Sequence, residues 1–240
     1  MRFCDFRKEK LLTVTVNGSH HAACRRVDAG PPGPACRETR CPPGISAALA
    51  AGYDAWAPDY EADMARSGYR LPERMVDVVR RHIEDRRARL LDVGAGSGLL
   101  GKALKTAGYD NLVGLDPSPG MLRQAAAKRV YKRQLEMALG AAALRTGMRF
   151  DAALAAGVFK AGHAPPGVLA CLLRLVRPGG IIIFNLNAGA GAVPYDGMAR
   201  RLTADRQWRL LQSTTTISFS AEGAPASLTV IHVFQTINAC

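Results

Sequence analysis

The segment Leu91-Asp-Val-Gly-Ala-Gly-Ser-Gly98 determines the fold prediction for this chain. It joins a short apolar run, Arg89–Val93, to a helical pattern over Leu99–Ala107, so it predicts a glycine-rich turn from a strand into a helix. Glycines let the backbone of such a turn approach a ligand closely, and the N-terminus of the following helix favours polar or anionic groups. The segment therefore predicts a binding site for a nucleoside-containing cofactor.

A second predicted strand, Asn111–Asp116, follows the helix and ends in an acid. Strand, helix and strand in this order form a βαβ unit, which implies a parallel sheet with a right-handed crossover. Asp116 lies twenty-two residues beyond Gly94, where a carboxylate can accept hydrogen bonds from both hydroxyls of a ribose. The glycine turn and Asp116 together indicate nucleoside binding more strongly than either does alone.

The rest of the body continues the alternation of helices and strands. Helical patterns occur at residues 73–83, 119–129, 167–176 and 195–203, and strand patterns at residues 130–136, 150–156 and 181–186. The segment Arg177-Pro-Gly-Gly180 is expected to break the chain between a helix and a strand. Two β-rich stretches, Trp208–Phe219 and Ser227–Ile237, flank a turn-forming spacer and predict an antiparallel hairpin at the sheet edge. The body is therefore expected to be an open α/β sheet.

One class of cofactor that fits this layout is a dinucleotide. Gly96-x-Gly98-x-x-Gly101 matches the dinucleotide fingerprint, and Asp116 lies twenty residues beyond Gly96. This register favours NAD.

The position of the predicted strand favours a different cofactor. The strand is expected to end at Val93, so the turn begins at Gly94, and Leu99 then stands where the third dinucleotide glycine belongs. Asp92 would repel a pyrophosphate, whereas it would attract the cationic amino-acid end of S-adenosylmethionine. S-adenosylmethionine is therefore the predicted cofactor, and NAD is the alternative.

These motifs resemble those of the class I S-adenosylmethionine-dependent methyltransferases, whose first motif is an acid followed by Gly-x-Gly-x-Gly and whose second strand ends in an acid. The resemblance continues through Gly114-Leu-Asp-Pro-Ser-Pro-Gly-Met-Leu122 and Leu173-Arg-Leu-Val-Arg-Pro-Gly-Gly180. Within that superfamily, Tyr53–Tyr60 and Gly157–Pro166 are similar to the methyltransferase-like proteins of the Williams-Beuren syndrome region and their bacterial relatives. The resemblance covers about residues 50–238.

The resemblance implies a fold and an activity. The fold is an open, Rossmann-like, mostly parallel sheet of seven strands in the order 3-2-1-4-5-7-6, with a C-terminal antiparallel hairpin and N-terminal lid helices. The activity is transfer of a methyl group from S-adenosylmethionine to an acceptor, in enzyme class EC 2.1.1. Many members carry an acid after the third strand that bonds the adenine amino group, but Leu139-Gly-Ala-Ala-Ala143 offers none, so backbone contacts near Gly140 are expected instead.

Three aromatic residues, Tyr53, Trp56 and Tyr60, recur at helical spacing before the sheet begins. They could present an aromatic face to the sulfonium cation, or they could equally be core side chains. In the resembled group a helix at this place acts as a lid, which favours contact with the cofactor or the acceptor.

Phe159 and His163 follow the strand predicted at residues 150–156, at the carboxyl edge where open α/β sheets bind ligands. We therefore expect both near the transferred methyl. Methyl transfer from a sulfonium is an in-line displacement, so alignment of donor and acceptor can supply much of the catalysis. His163 is the candidate catalytic residue because it could deprotonate an acceptor hydroxyl or amine; the alternative is a surface histidine without a role.

The expected cofactor contacts combine the glycine turn, the ends of the first strands and the lid. They are Tyr53, Trp56, Asp92, Gly94, Ala95, Gly96, Gly98, Asp116, Pro117, Met121, Leu122, Gly140, Gly157 and Phe159. The resemblance implies that Asp92 and the turn hold the methionine part, that Asp116 holds the ribose, and that Pro117, Met121 and Leu122 surround the adenine.

The chain is basic, with 32 Lys and Arg against 20 Asp and Glu among 240 residues. The densest basic cluster comprises Arg123, Lys128, Arg129, Lys132 and Arg133. A composition rich in Arg and Ala explains this excess without a polyanion. Enzymes that methylate the exocyclic amino group of a base usually carry Asn or Asp, then Pro-Pro and an aromatic, after the fourth strand, whereas this chain has Ala156-Gly-Val-Phe159 there. A small-molecule acceptor is therefore predicted; a nucleic-acid methyltransferase, a protein methyltransferase and a non-catalytic cofactor-binding protein stay open as alternatives.

Residues 1–45 are predicted to be a poorly ordered tail, and residues 46–240 a class I methyltransferase domain. The segment Asp28-Ala-Gly-Pro-Pro-Gly-Pro34 can form neither a helix nor the interior of a strand. The alternative is a zinc site formed by His21, Cys24, Cys36 and Cys41. The residues between these pairs include no apolar cluster that could build a core around a zinc ion, so no metal is expected.

No run of eighteen apolar residues occurs, and the first ten residues are charged where a signal peptide would be apolar. We therefore expect a cytoplasmic protein without a membrane partner. The sequence does not indicate an oligomeric state.

Overall fold

The computed structural model describes residues 46–138, 148–187, 189–223 and 225–237. The predicted tail, with its alternative zinc ligands, and the predicted cofactor contact Gly140 lie outside these ranges.

Seven strands form one sheet in the spatial order β3-β2-β1-β4-β5-β7-β6. The strands are β1 (Leu90–Val93), β2 (Leu112–Asp116), β3 (Arg133–Glu136), β4 (Phe150–Ala155), β5 (Val176–Asn187), β6 (Trp208–Phe219) and β7 (Ser227–Thr236). The pairs from β3 to β5 are parallel, whereas β7 runs antiparallel to both β5 and β6. The predicted strand order and the predicted C-terminal hairpin are confirmed.

Helices precede the sheet and cover both of its faces. They are α1 (Ala47–Trp56), α2 (Tyr60–Arg66), α3 (Leu71–His82), α4 (Leu99–Thr106), α5 (Pro119–Lys128), α6 (Leu169–Leu173) and α7 (Val193–Ala204). Within the described ranges, no helix is both long enough and apolar enough to cross a bilayer.

Successive residues of the central strands belong to two different cores. Leu90 packs with α3 and α4 on one face of the sheet, while its neighbour Leu91 packs with α6 and α7 on the other. Every residue of β1 and β2 is buried because both faces of a parallel sheet are covered by helices. The covered sheet leaves its carboxyl edge, where the glycine turn begins, as the place for a site.

The predicted break at Arg177–Gly180 is wrong in one respect. These residues belong to β5, which begins at Val176 and bulges there, because the pairing with β4 shifts between Phe150 and Ala152. A Cβ at Gly180 would lie 2.4 Å from Val176 Cγ1, so the bulge requires glycine. The preceding helix, α6, is correspondingly shorter than the pattern predicted.

Candidate functional site

The glycine turn follows β1 directly and has one open face. Gly94 is the first residue after β1, as the S-adenosylmethionine register requires. A Cβ at Gly94 would lie 2.5 Å from Val158 Cγ2, so glycine is needed there to leave room for the Val158 side chain. A Cβ at Gly96, in contrast, would meet nothing nearer than the Gly94 carbonyl oxygen at 3.9 Å. The backbone at Gly96 is therefore the part of the turn that a ligand can approach most closely.

Asp116 at the end of β2 holds this turn in place. One carboxylate oxygen accepts a hydrogen bond from Gly96 N at 2.8 Å, and the other accepts one from Ser118 N at 2.9 Å. Burial raises the pKa of Asp116 above its usual value, although both hydrogen bonds act in the opposite direction. Asp116 thus links the glycine turn to the start of α5.

A cavity of about 40 Å³ lies against the turn. Its lining includes Asp92, Ala95, Ser97, Tyr60 and Tyr69. Ser97 Oγ is buried and has no hydrogen-bond partner among the described residues. A buried hydroxyl without a partner is unfavourable, and a polar ligand at the turn would satisfy it.

Asp92 is the buried acid of this cavity, with only 2% of its surface exposed. Burial raises its pKa to about 7, although a hydrogen bond from the Tyr131 hydroxyl to Asp92 Oδ2, at 2.6 Å, lowers it. Nearby Asp116 raises it further. A carboxylate in this environment gains from a cationic ligand because the cation compensates for its lost hydration.

The three aromatic residues of the predicted lid lie on two helices rather than on one. Helix α1 ends at Trp56 and α2 starts at Tyr60, with Pro58 between them. The three aromatics nevertheless cluster: the Trp56 ring lies 6.1 Å from Tyr53 and 4.8 Å from Tyr60, between centroids. The predicted single helical stripe is therefore replaced by an aromatic cluster across a bend.

Polar contacts hold the lid helices against α5. Asp54 Oδ1 accepts hydrogen bonds from Ser118 Oγ and Gly120 N, both at 2.6 Å. An ion pair joins Glu61 on α2 to Lys128 on α5, with 2.5 Å between Oε1 and Nζ. These contacts dock α1 and α2 against the start of α5.

His163 contacts the lid through Tyr53. Its Nε2 lies 2.9 Å from the Tyr53 hydroxyl, and Lys160 Nζ lies 3.5 Å from the same hydroxyl. Burial, and then the charge of Lys160, lower the pKa of His163 to about 4, whereas burial raises the pKa of Tyr53. At neutral pH the imidazole is therefore uncharged, and its tautomer sets which of the two groups donates.

Hydrogen bonds to its backbone fix the loop that carries His163. The Tyr195 hydroxyl lies 2.8 Å from the Lys160 carbonyl oxygen and 2.7 Å from that of Ala164. At the start of the loop, Gly157 N donates to Asn185 Oδ1 at 2.7 Å. These contacts give Lys160 and His163 a defined place at the carboxyl edge of β4.

Phe159 was expected at the site, and the structure places it in the core instead. It is 3% exposed, and its ring packs against Phe184 and Tyr195 at centroid distances of 5.4 and 5.9 Å. The backbone turns after Gly157, so the loop directs Phe159 inward while Lys160 and His163 reach Tyr53. Met121 and Leu122 are also buried, whereas Pro117 between Asp116 and Ser118 is half-buried.

Gly98 caps α4 in a left-handed conformation, with φ of 88°. A Cβ there would lie 3.2 Å from Ala125 Cβ, so Gly98 serves the packing of α4 against α5. It supports the turn rather than facing its open side.

Four residues of the site had no role in the sequence prediction: Asp54, Tyr69, Tyr131 and Lys160. Asp54 follows the predicted residue Tyr53, and Lys160 follows the predicted residue Phe159. This proximity is the one feature of the sequence that could have indicated them. Among the described residues, no group of three His, Cys, Asp or Glu side chains is arranged to hold a metal ion.

Comparison with known proteins shows which proteins this chain is similar to. The sequence profile described as "Methyltransferase domain" matches residues 91–184, from the glycine turn to the middle of β5. The matched segment and the strand order of the sheet are those of the class I methyltransferase fold. Human methyltransferase-like protein 27 is 35% identical to it over 157 residues, which are 64% of this chain and 63% of that protein. The chain therefore spans less than two thirds of that relative's length.

Solved structures of methyltransferases share this fold. Magnesium protoporphyrin IX methyltransferase from Synechocystis PCC 6803, solved with bound S-adenosylmethionine, is 17% identical with a TM-score of 0.53, over 69% of this chain and 79% of that chain. A TehB-like S-adenosylmethionine-dependent methyltransferase from Corynebacterium glutamicum is 21% identical with a TM-score of 0.53, over 78% of this chain and 98% of that chain.

Proposed function

We propose that this protein transfers a methyl group from S-adenosylmethionine to a small-molecule acceptor. The observation that carries the proposal is the open backbone at Gly96, which Asp116 holds in place. It lies beside the Ser97 hydroxyl, which has no hydrogen-bond partner in the described part of the chain. The profile match begins at this turn, and the fold is shared with enzymes that use this cofactor.

The residues around the turn fit the parts of the cofactor. Asp92 would attract its ammonium group, Ser97 and the backbone at Gly96 would bind its amino-acid end, and Asp116 would accept from the ribose hydroxyls. When bound, S-adenosylmethionine supplies a methyl group on a positively charged sulfur, which a nucleophile can attack in line.

The lid has to move when the cofactor enters. A cavity of about 40 Å³ admits little more than a water molecule, whereas pockets for ligands of this class measure several hundred Å³. Tyr60 lines the cavity from α2, so displacement of α1 and α2 would enlarge it. Closure afterwards would exclude water and align the acceptor.

Tyr53 and His163 together can remove a proton from the acceptor. An acceptor hydroxyl or amine at Tyr53 would give its proton to the phenol oxygen, while Tyr53 passes its own proton to His163 Nε2. His163 is neutral at pH 7 and can take up this proton, but its lowered pKa makes it a weak base. The proton would therefore move as the methyl group bonds to the acceptor, because the methylated acceptor atom becomes positively charged and strongly acidic. Tyr53, a residue of the lid, would thus share with His163 the predicted role of removing a proton from the acceptor.

The surroundings of Tyr53 and His163 indicate the class of acceptor. Tyr53 belongs to a lid that closes to within hydrogen-bond distance of His163, which suits an enclosed small molecule. Lys160 stands beside them without an ion pair to a carboxylate among the described residues, so acidic metabolites are the fraction to test first.

The test is methyl transfer from methyl-labelled S-adenosylmethionine to a cell extract separated into small metabolites, protein and nucleic acid. We expect label in the small metabolites, and loss of that label with Asp116→Ala. Label in protein or nucleic acid would contradict the acceptor class. Cofactor binding without label in any fraction would instead favour a non-catalytic binding protein.

A further inference from the structure

Tyr131 occupies a slot formed by three glycines behind the cofactor turn. A Cβ at Gly101 on α4 would lie 2.5 Å from Tyr131 Cζ, and one at Gly114 on β2 would lie 3.0 Å from the ring. A Cβ at Gly98 would lie 3.5 Å from the same ring. Gly101, which completes the dinucleotide fingerprint in the sequence, therefore makes room for a tyrosine ring.

The slot aims the Tyr131 hydroxyl at the buried acid of the site. The hydroxyl donates to Asp92 Oδ2 at 2.6 Å, and among the described residues it is the hydrogen-bond donor to that carboxylate. The two residues are 39 positions apart and belong to different elements. A ring held on three sides keeps its hydroxyl in one position, which pre-organises the partner carboxylate.

We propose that Tyr131 is a positioning residue, which fixes the Asp92 carboxylate and favours its ionised form for the ammonium group of the cofactor. The part of this inference that concerns the cofactor rests on the proposed function. The hydrogen bond by which Tyr131 holds Asp92 is independent of the proposed function.

The charges around Asp92 explain why a donor is needed. Burial and the neighbouring Asp116 both favour the protonated acid, and the Tyr131 hydroxyl opposes them. The other titratable groups at the cavity are Tyr60 and Tyr69, whose pKa values are raised by burial, so they stay neutral. Among the described residues no Lys, Arg or His forms an ion pair with Asp92.

The discriminating variant is Tyr131→Phe, because the ring still fills the glycine slot and the hydroxyl alone is lost. The Asp92 carboxyl would be titrated by carbon NMR without cofactor, and S-adenosylmethionine affinity measured by calorimetry between about pH 6 and 9. We expect the pKa of Asp92 to rise by about one unit in the variant. The affinity should fall about fivefold near pH 7 and nearly tenfold near pH 6, where protonated Asp92 must lose its proton on binding, and recover to within about twofold near pH 9.

Two further variants separate positioning from general stability. Tyr109→Phe also removes a buried hydroxyl, which donates to the Ile83 carbonyl at 2.6 Å, away from the turn. It should lower the melting temperature without moving the Asp92 titration. Gly101→Ala places a Cβ against the ring and should reproduce the Tyr131→Phe shift while the hydroxyl is still present.

The outcomes are distinct for the two proposals. An Asp92 pKa unchanged by Tyr131→Phe, or an affinity loss equal at every pH, would overturn the positioning role. Wild-type protein that binds no S-adenosylmethionine would contradict the proposed function, whereas the cofactor-free titration would still decide whether Tyr131 controls Asp92.

Discussion

At the scale of single residues, Asp116 combines a structural and a binding task. It already accepts from Gly96 N and Ser118 N, so the same carboxylate that would meet the ribose also shapes the turn. We predict that Asp116→Ala weakens S-adenosylmethionine binding by about 1–3 kcal/mol, because ribose hydroxyls are left without a partner in a closed site. Calorimetry measures this, with exposed Asp110→Ala as the matched control. Unchanged affinity would show that the ribose binds elsewhere.

Asp92 is expected to reduce the stability of the fold at neutral pH. Its raised pKa means that the folded state keeps a proton, between about pH 4 and pH 7, that the unfolded state releases. The free energy of unfolding is therefore not reduced by Asp92 below about pH 4. It is reduced progressively as the pH rises towards 7 and the buried carboxyl has to ionise.

We predict that Asp92→Asn raises the free energy of unfolding by at least about 1 kcal/mol near pH 8, and by almost nothing near pH 4. Urea unfolding at both pH values measures the difference, with Asp110→Asn as the exposed control. A gain that is the same at both pH values would contradict the assigned protonation of Asp92.

At the scale of elements, the lid and α5 act as one docked unit. Asp54 reaches across to Ser118 and Gly120, and a Cβ at Gly120 would lie 2.8 Å from Asp54 Oδ1 and 3.0 Å from its Cα. This glycine is thus required for the close approach of α1.

We predict that Gly120→Ala displaces α1, and that Asp54→Ala loosens it by removing both hydrogen bonds. Amide hydrogen exchange in α1 should then accelerate by roughly five- to tenfold or more, equivalent to about 1–1.5 kcal/mol of docking. Gly52→Ala is the control on α1 itself, since a Cβ there meets nothing within 4 Å. Equal exchange in Gly120→Ala and wild type would mean that these contacts do not hold the lid.

At the level of the whole molecule, the features that could be predicted from the sequence are those that local patterns of residues encode. The glycine turn, the acid ending β2 and the alternation of helices and strands are local signals, and the family resemblance supplied the strand order. Contacts such as Tyr53 to His163, 110 residues apart, and Asp54 to Ser118, 64 apart, have no local signature. Phe159 was misplaced for the same reason, because its inward direction depends on core rings from β5 and α7.

The N-terminal segment offers a test at the same scale. We predict that removal of residues 1–45 changes the melting temperature by less than about 2 °C and the cofactor affinity by less than about twofold, since its Pro-Gly run and lack of periodic apolar residues disfavour docking. Removal of residues 1–56 is the contrast, because it also deletes the contacts of Tyr53 and Asp54 and should weaken binding. Unfolding of the shorter truncation would make the tail part of the domain.

We infer that the glycine turn and Asp116 bind S-adenosylmethionine rather than a dinucleotide. The most direct measurement is calorimetric titration of the full chain with S-adenosylmethionine and, separately, with NAD under the same conditions. We expect saturable binding of one S-adenosylmethionine per chain and no heat of binding with NAD. Binding of NAD without binding of S-adenosylmethionine would contradict this inference.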